Sequence, residues 1–242
     1  MSHHTEGLCR IDGVDCYRIL DTHLMEPFLL TVVSPEDHWM YISSRGGLSA
    51  GRVNAQHCLF PYRTDDLLHA VDAFSGPWTG IRVGNELWEP FTGRAAAQER
   101  RHLAKSVLGD RIVFESHHEG LGLVARAWWT FSNEHGFVRT VALEASREHA
   151  CKVQVLDALR DLQVGGASLS VMQSMSCLVN AYTRSERVGS TSVATFAMET
   201  ALSDRAEPAE SLRATTVFPV GTGSSTLDPL AVESFVRGGT PK

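Results

Sequence analysis

The segment "LGLVARAWWTF" restricts the fold more than any other feature of this chain. Its residues Leu121, Leu123, Ala125, Ala127, Trp129 and Phe131 recur at every second position, and alternate side chains of a strand share one face. The turn "SNEHG" and the run "FVRTVALEA" come directly after, which predicts a hairpin partner. Further strands are predicted over 28–33, 39–43, 111–117, 151–159, 192–200 and 213–220. Turn residues separate them at short intervals, and no long helix of a βαβ unit intervenes. The expected fold is therefore mainly β, an antiparallel β-sandwich or barrel with one or two short helices.

One segment changes period. Leu169, Met172, Met175, Leu178, Val179 and Tyr182 recur at steps of one, three and four, which predicts a helix crossing between two sheets. A second short helix is expected over 98–107. "VGTGSSTLDP" reads as a loop, and "LAVESFV" is the last candidate element before "RGGTPK". A chain of 242 residues makes one large domain or two small ones, with room for a sizeable core.

Charge narrows the partners. The net charge is −6, and lysine occurs only at Lys105, Lys152 and Lys242, with the arginines scattered. Neither nucleic acid nor an anionic membrane is an expected partner, because both need concentrated cations. The longest apolar run, "PFLLTVV", is too short to span a bilayer. "MSHHTEGLCR" has no apolar signal region. The five cysteines, Cys9, Cys16, Cys58, Cys151 and Cys177, contain no CxxC pair, which fits neither a disulfide framework nor a structural zinc site. A reducing cytoplasm is the expected location.

Several motifs invite a chemical reading. "SSRGGLSAGRVN" places Gly46 and Gly51 five apart ahead of a cation, close to a phosphate-binding loop. Such a loop needs Lys, then Ser or Thr, then a helix. Here Arg52 and Val53 hold those positions and Pro61 follows, so a glycine turn between strands is expected instead. In "SHHEG", His117 and Glu119 share a strand face while His118 does not, and a metal would need another ligand. Asp65 and Asp66 in "YRTDD" are adjacent, which suits helix capping better than a catalytic pair flanking one bond. His102, His135 and His149 read as surface residues, and no nucleophilic triad is recognisable.

Tryptophan carries the most functional weight. Among Trp39, Trp78, Trp88, Trp128 and Trp129, Trp128 and Trp129 must face opposite sides of one strand, so at least one is expected outside the main core. Trp88 in "NELWEPF", close to Glu86 and Glu89, has a loop-like context that suits a sugar-stacking face, with packing into the protein as the alternative.

The run "HWMYISSRGGLSAGRVNAQHCLFPYRTDD" resembles the start of the cellobiose-phosphorylase-like bacterial carbohydrate-active proteins. The likeness continues in register through "WEPF", "SVLGDRIVFE", "LGLVARAWWTFSNEHGFVRT", "VLDALRDLQVGG", "LVNAYTRSE" and "DRAEPAESLRATTVF". "ALRDLQ" and Arg45 depart from the family's usual residues. The resemblance implies a galactose-mutarotase-like super-sandwich over 26–242, behind an N-terminal extension over 1–25. It also implies a partner, the helical catalytic barrel that carries the reactive groups in such enzymes. This chain has no array of helices for a barrel, so it is expected to be the front part of a larger protein. No catalytic residue, metal or cofactor is assigned to it. The expected carbohydrate contacts are Trp88, Glu89, Arg52, Asp65 and Trp128, with Arg52 either paired to a carboxylate such as Asp65 or facing a partner domain. The competing expectations are a free-standing mutarotase-like epimerase, using Glu119 with His117 or Glu89 with a distant histidine, and a purely structural remnant that binds no sugar.

Overall fold

The computed structural model describes residues 6–70, 75–145, 152–198, 214–221 and 223–240. In chain order the strands are β1 (Gly7–Ile11), β2 (Val14–Ile19), β3 (Leu29–Val33), β4 (His38–Ser43), β5 (Leu48–Arg52), β6 (Cys58–Phe60), β7 (Gly76–Val83), β8 (Glu86–Trp88), β9 (Glu99–Ser106), β10 (Ile112–His118), β11 (Leu123–Ser132), β12 (Gly136–Ala145), β13 (Val153–Arg160), β14 (Thr183–Arg187), β15 (Ala194–Met198) and β16 (Ala214–Val217). The helices are α1 (Asp65–His69), α2 (Leu169–Tyr182) and α3 (Ala231–Val236). The chain is mainly β and antiparallel with short helices, as the alternating pattern requires. Among the described residues no helix is long and apolar enough to cross a membrane.

Two compact units divide the chain, one of residues 1–49 and 63–160, the other of residues 50–62 and 161–242. The first is built on a six-stranded sheet of order β1-β2-β9-β10-β11-β12 and a three-stranded sheet of order β13-β7-β8. Strand β3 pairs with β4 in the same unit, from Leu29 opposite Ser43 to Val33 opposite Trp39. The inner face of the large sheet presents Phe114, Ala127 and Trp129 to Ile42 of β4 and to Pro77 and Thr79 of β7. These side chains are the inside of a sandwich. Arg139 of β12 closes it on the polar side, donating to Asp157 of β13 and, at 2.9 Å, to Thr79.

Residues 7–11 and 14–19, within the stretch expected as an N-terminal extension, are strands of this sheet. β1 and β2 form a hairpin around Asp12 and Gly13, whose φ values of 47° and 80° are those of a type I′ turn. β2 then pairs with β9, Cys16 opposite Ser106 and Ile19 opposite Leu103. A correction falls on 98–107, where a helix is expected and strand β9 stands. Leu103 and Ala104 are both buried there, between β2 and β10, and pairing on both edges overrides the local helical pattern.

In the second unit, α2 has the predicted bounds but is not one continuous helix: Met175, at φ −135° and ψ 29°, kinks it in the middle. Ser168 caps it, its Oγ accepting the Val171 N–H at 3.3 Å. Val171, Met172 and Val179 pack with Phe196 and Met198 of β15, the middle strand of the sheet β14-β15-β16. The "LAVESFV" segment contains α3, which buries Ala231 and Phe235. The ends of the predicted strands over 151–159, 192–200 and 213–220 lie partly outside the described residues.

The glycines of "SSRGG" turn a corner. Gly46 and Gly47 connect β4 to β5, and Gly51 lies in β5 opposite Cys58. A Cβ on Gly47 would stand 2.3 Å from the Leu68 carbonyl oxygen, and one on Gly46 would stand 2.5 Å from that of Phe91. Only glycine permits so close an approach of backbones.

Candidate functional site

Strict alternation gives the six-stranded sheet two different faces. Along β10, Phe114 points into the sandwich, while Val113 and Glu115 point out of it. On β11, Ala127 and Trp129 point in, and Arg126 and Trp128 point out. Cys16, Ala104 and Val113 make a small apolar cluster on this outer face, with Trp128 packed against it. Beside the cluster lies an open trough of about 220 Å³. Its polar wall is made of Arg18, His102, Glu115 and Arg126, and the β1–β2 hairpin adds Arg10 of β1 and Asp12 of the turn.

Glu115 is the electrostatic centre of the trough. It is 6 % exposed and stands opposite Arg126 in the β10–β11 register. His117 Nε2 donates to Glu115 Oε1 at 2.8 Å, and Arg126 Nε donates to Oε2 at 2.5 Å. Burial alone would raise this carboxyl, but the hydrogen bonds and charges of His117 and Arg126 outweigh it and hold the group well below the usual carboxylate range. The same exchange acts on the guanidinium: burial opposes its charge, and Glu115 and Glu144 more than restore it. Arg126 Nη1 reaches Glu144 at 2.6 Å, so the arginine bridges two carboxylates.

The aromatic side is also polar-edged. Trp128 is half-buried, and the Arg111 guanidinium lies 5.6 Å from its ring centre. Arg111 in turn donates to Asp12 at 2.8 Å. His102 is not the surface residue expected of it. It is 9 % exposed, its Nδ1 accepts the Asp21 N–H at 3.0 Å, and its ring meets that of His117 at 5.4 Å.

Of the residues expected to touch carbohydrate, the trough takes in Trp128 alone. Trp88 ends strand β8 rather than lying in a loop; it is 2 % exposed, with its ring edge-on to His118 at 5.4 Å. An indole so enclosed has no open face for stacking. Glu89 accepts the Trp78 Nε1–H at 2.7 Å. Asp65 opens α1 and is exposed, but Thr64 is the N-cap, so neither aspartate caps the helix. Arg52 closes β5 and belongs to the second unit. Glu119 lies 3.6 Å from Arg100. His135 is exposed as expected, and His149 lies outside the described residues. No group of three or more metal-ligating side chains occurs among the described residues.

The residues that sequence reasoning missed are Arg18, His102, Glu115 and Arg126. A signal for two of them was present. Once "IVFESHH" and "LVARAWW" are paired as a hairpin, Glu115 and Arg126 fall opposite each other, Arg126 between two alanines and Glu115 next to Phe114. The chain matches no protein-family model, and no curated protein matches it.

Proposed function

We propose that this chain is a non-catalytic β-sandwich module of a carbohydrate-active protein and that its trough takes a saccharide. The observation that carries the reading is the pairing of a half-buried tryptophan with a dense array of charged donors and acceptors on one open sheet face. Sugar rings offer apolar CH faces and a rim of hydroxyls, and this surface offers an aromatic ring beside guanidinium, imidazole and carboxylate groups. The resemblance to cellobiose-phosphorylase-like proteins points the same way. In such a protein a helical barrel would stand beside this module and supply the reactive groups.

The epimerase alternative has less support. Opening a hemiacetal ring needs a base that takes a proton near neutral pH. Glu115 is held far below that range with both oxygens engaged, and Glu119 is two-thirds exposed beside Arg100. Saturable backbone amide shifts along β10 and β11 on titration with cellobiose or cello-oligosaccharides, abolished in W128A, are the expected result. Absence of saturable shifts with every saccharide tried overturns the reading, and accelerated anomer exchange of glucose or galactose would move the assignment to the epimerase.

A further inference from the structure

The β1–β2 register places Cys9 directly opposite Cys16. Both belong to the apolar cluster on the outer face of the large sheet, so the two thiols lie on the same side of the hairpin. Directly opposed residues of an antiparallel pair have Cα atoms about 4.5–5.5 Å apart. A disulfide spans Cα separations of about 4.4–6.8 Å, so the register places the two cysteines within the reach of one, closed by a local adjustment of the edge hairpin. The type I′ turn at Asp12 and Gly13 and the pairing of β2 with β9 hold this register from both sides. Both sulfurs are free thiols in the structure.

We propose that Cys9 and Cys16 are a redox-reactive dithiol that closes to an intramolecular disulfide on exposure to a low-molecular-weight disulfide. The two cysteines divide the chemistry by exposure. Cys9 is half-buried and reachable, whereas Cys16 is fully enclosed. Cys9 thiolate attacks one sulfur of RSSR, forming Cys9–S–SR and releasing RS⁻. Cys16 thiolate then attacks the Cys9 sulfur, closing the Cys9–Cys16 bond and releasing the second RS⁻. Two protein thiols are oxidised, RSSR is reduced to two RSH, and the two protein protons go to the leaving thiolates. Burial, and then the neighbouring Cys9, push the Cys16 thiol up from its ordinary value, so the closing step speeds up as pH rises. The other described cysteines are placed differently: Cys58 donates to the Ala55 carbonyl at 2.9 Å, and Cys177 is exposed on α2. This inference is independent of the saccharide reading.

The sequence makes the test direct, because Arg10 and Arg18 let trypsin separate the two cysteines into the peptides 1–10 and 11–18. The native full chain is incubated with glutathione disulfide, quenched with N-ethylmaleimide, digested and analysed by mass spectrometry. The expected product is the two peptides cross-linked, free of both glutathione and maleimide, forming up to about tenfold faster per pH unit between pH 7 and 8. C9S, altered at a half-buried position, should keep the native circular dichroism spectrum and leave Cys16 reduced. Maleimide or glutathione on both peptides overturns the proposal. So does glutathione retained on Cys9 with Cys16 reduced, or a cross-link that forms only in denaturant.

Discussion

Glu115 and Arg126 face each other across β10 and β11, and Arg126 Nε donates to Glu115 Oε2 at 2.5 Å. The carboxylate side chain is 7 % exposed and the guanidinium 29 %, so removing either partner leaves a charge with little water to replace it. R126M keeps the aliphatic stem and removes the charge. It should destabilise the chain by about 3 kcal/mol, the lower end for a broken buried pair, because His117 still holds one Glu115 oxygen. The double variant E115L/R126M should recover part of that loss, since it strands no charge. Thermal melts of the two variants by circular dichroism check both signs.

Acid should weaken this sheet in a defined window. Glu115 and Glu99 are both depressed in the folded state, burial opposing the shift and their hydrogen-bonded cations and donors outweighing it. A depressed carboxyl contributes stability that is complete above its unfolded value, about 4.3 for Glu, and is lost as pH falls through the folded value. The melting temperature of the wild type should therefore change little from pH 7 to about pH 5 and fall steeply below about pH 4. E115Q should start lower at pH 7 and show a shallower acid slope. A wild-type slope retained in both E115Q and E99Q would assign the acid sensitivity to other groups.

The adjacent tryptophans of β11 should separate sharply under mutation. Trp129 is 3 % exposed inside the sandwich, whereas Trp128 is half-buried on the outer face. W129A should cost about 3–5 kcal/mol, as for a large aromatic removed from a core. W128A should cost about 1 kcal/mol, within the ordinary range for a partly exposed side chain, and should keep a native far-ultraviolet circular dichroism spectrum. Denaturant unfolding of both variants measures the difference.

The contrast between those two residues also marks how much of the molecule was legible in its sequence. Period two around Trp129 fixes the strand, its inner face and its hairpin partner, because burial on one side of a sheet repeats at every second residue. Helix α2 was equally legible, since Leu169, Met172 and Val179 repeat at a helical period. Strand β9 was not, because its burial comes from β2 and β10 on either edge rather than from local propensity. The hairpin β1–β2 hides its signal in Asp12 and Gly13, a strong turn pair with only five and six residues of strand on its sides. The trough was legible least. Glu115, Arg126, His102 and Arg18 come from four strands whose order, β2-β9-β10-β11, no short sequence window contains. Trp88 misled because its neighbours Glu86 and Glu89 are polar, while the β8 strand turns the indole inward against His118.

The glycine corner between β4 and β5 gives a last prediction that separates backbone approach from ligand binding. Ser43 N–H donates to the Gly47 carbonyl at 2.8 Å and Gly46 N–H donates to the Ser43 carbonyl at 2.9 Å, which closes the turn tightly. The Leu68 carbonyl of α1 lies where a Gly47 Cβ would stand, at 2.3 Å. That obstacle is backbone, so relief requires α1 or the turn to shift as a unit rather than one side chain to rotate. G47A should destabilise the chain by about 1–3 kcal/mol, the usual cost of overpacking. G223A, where a Cβ would meet nothing within 4 Å, should change stability by less than about 0.5 kcal/mol. A phosphate-cradling loop would instead lose nucleotide affinity in G47A with its melting temperature unchanged, and equilibrium unfolding alongside ATP titration distinguishes the two outcomes.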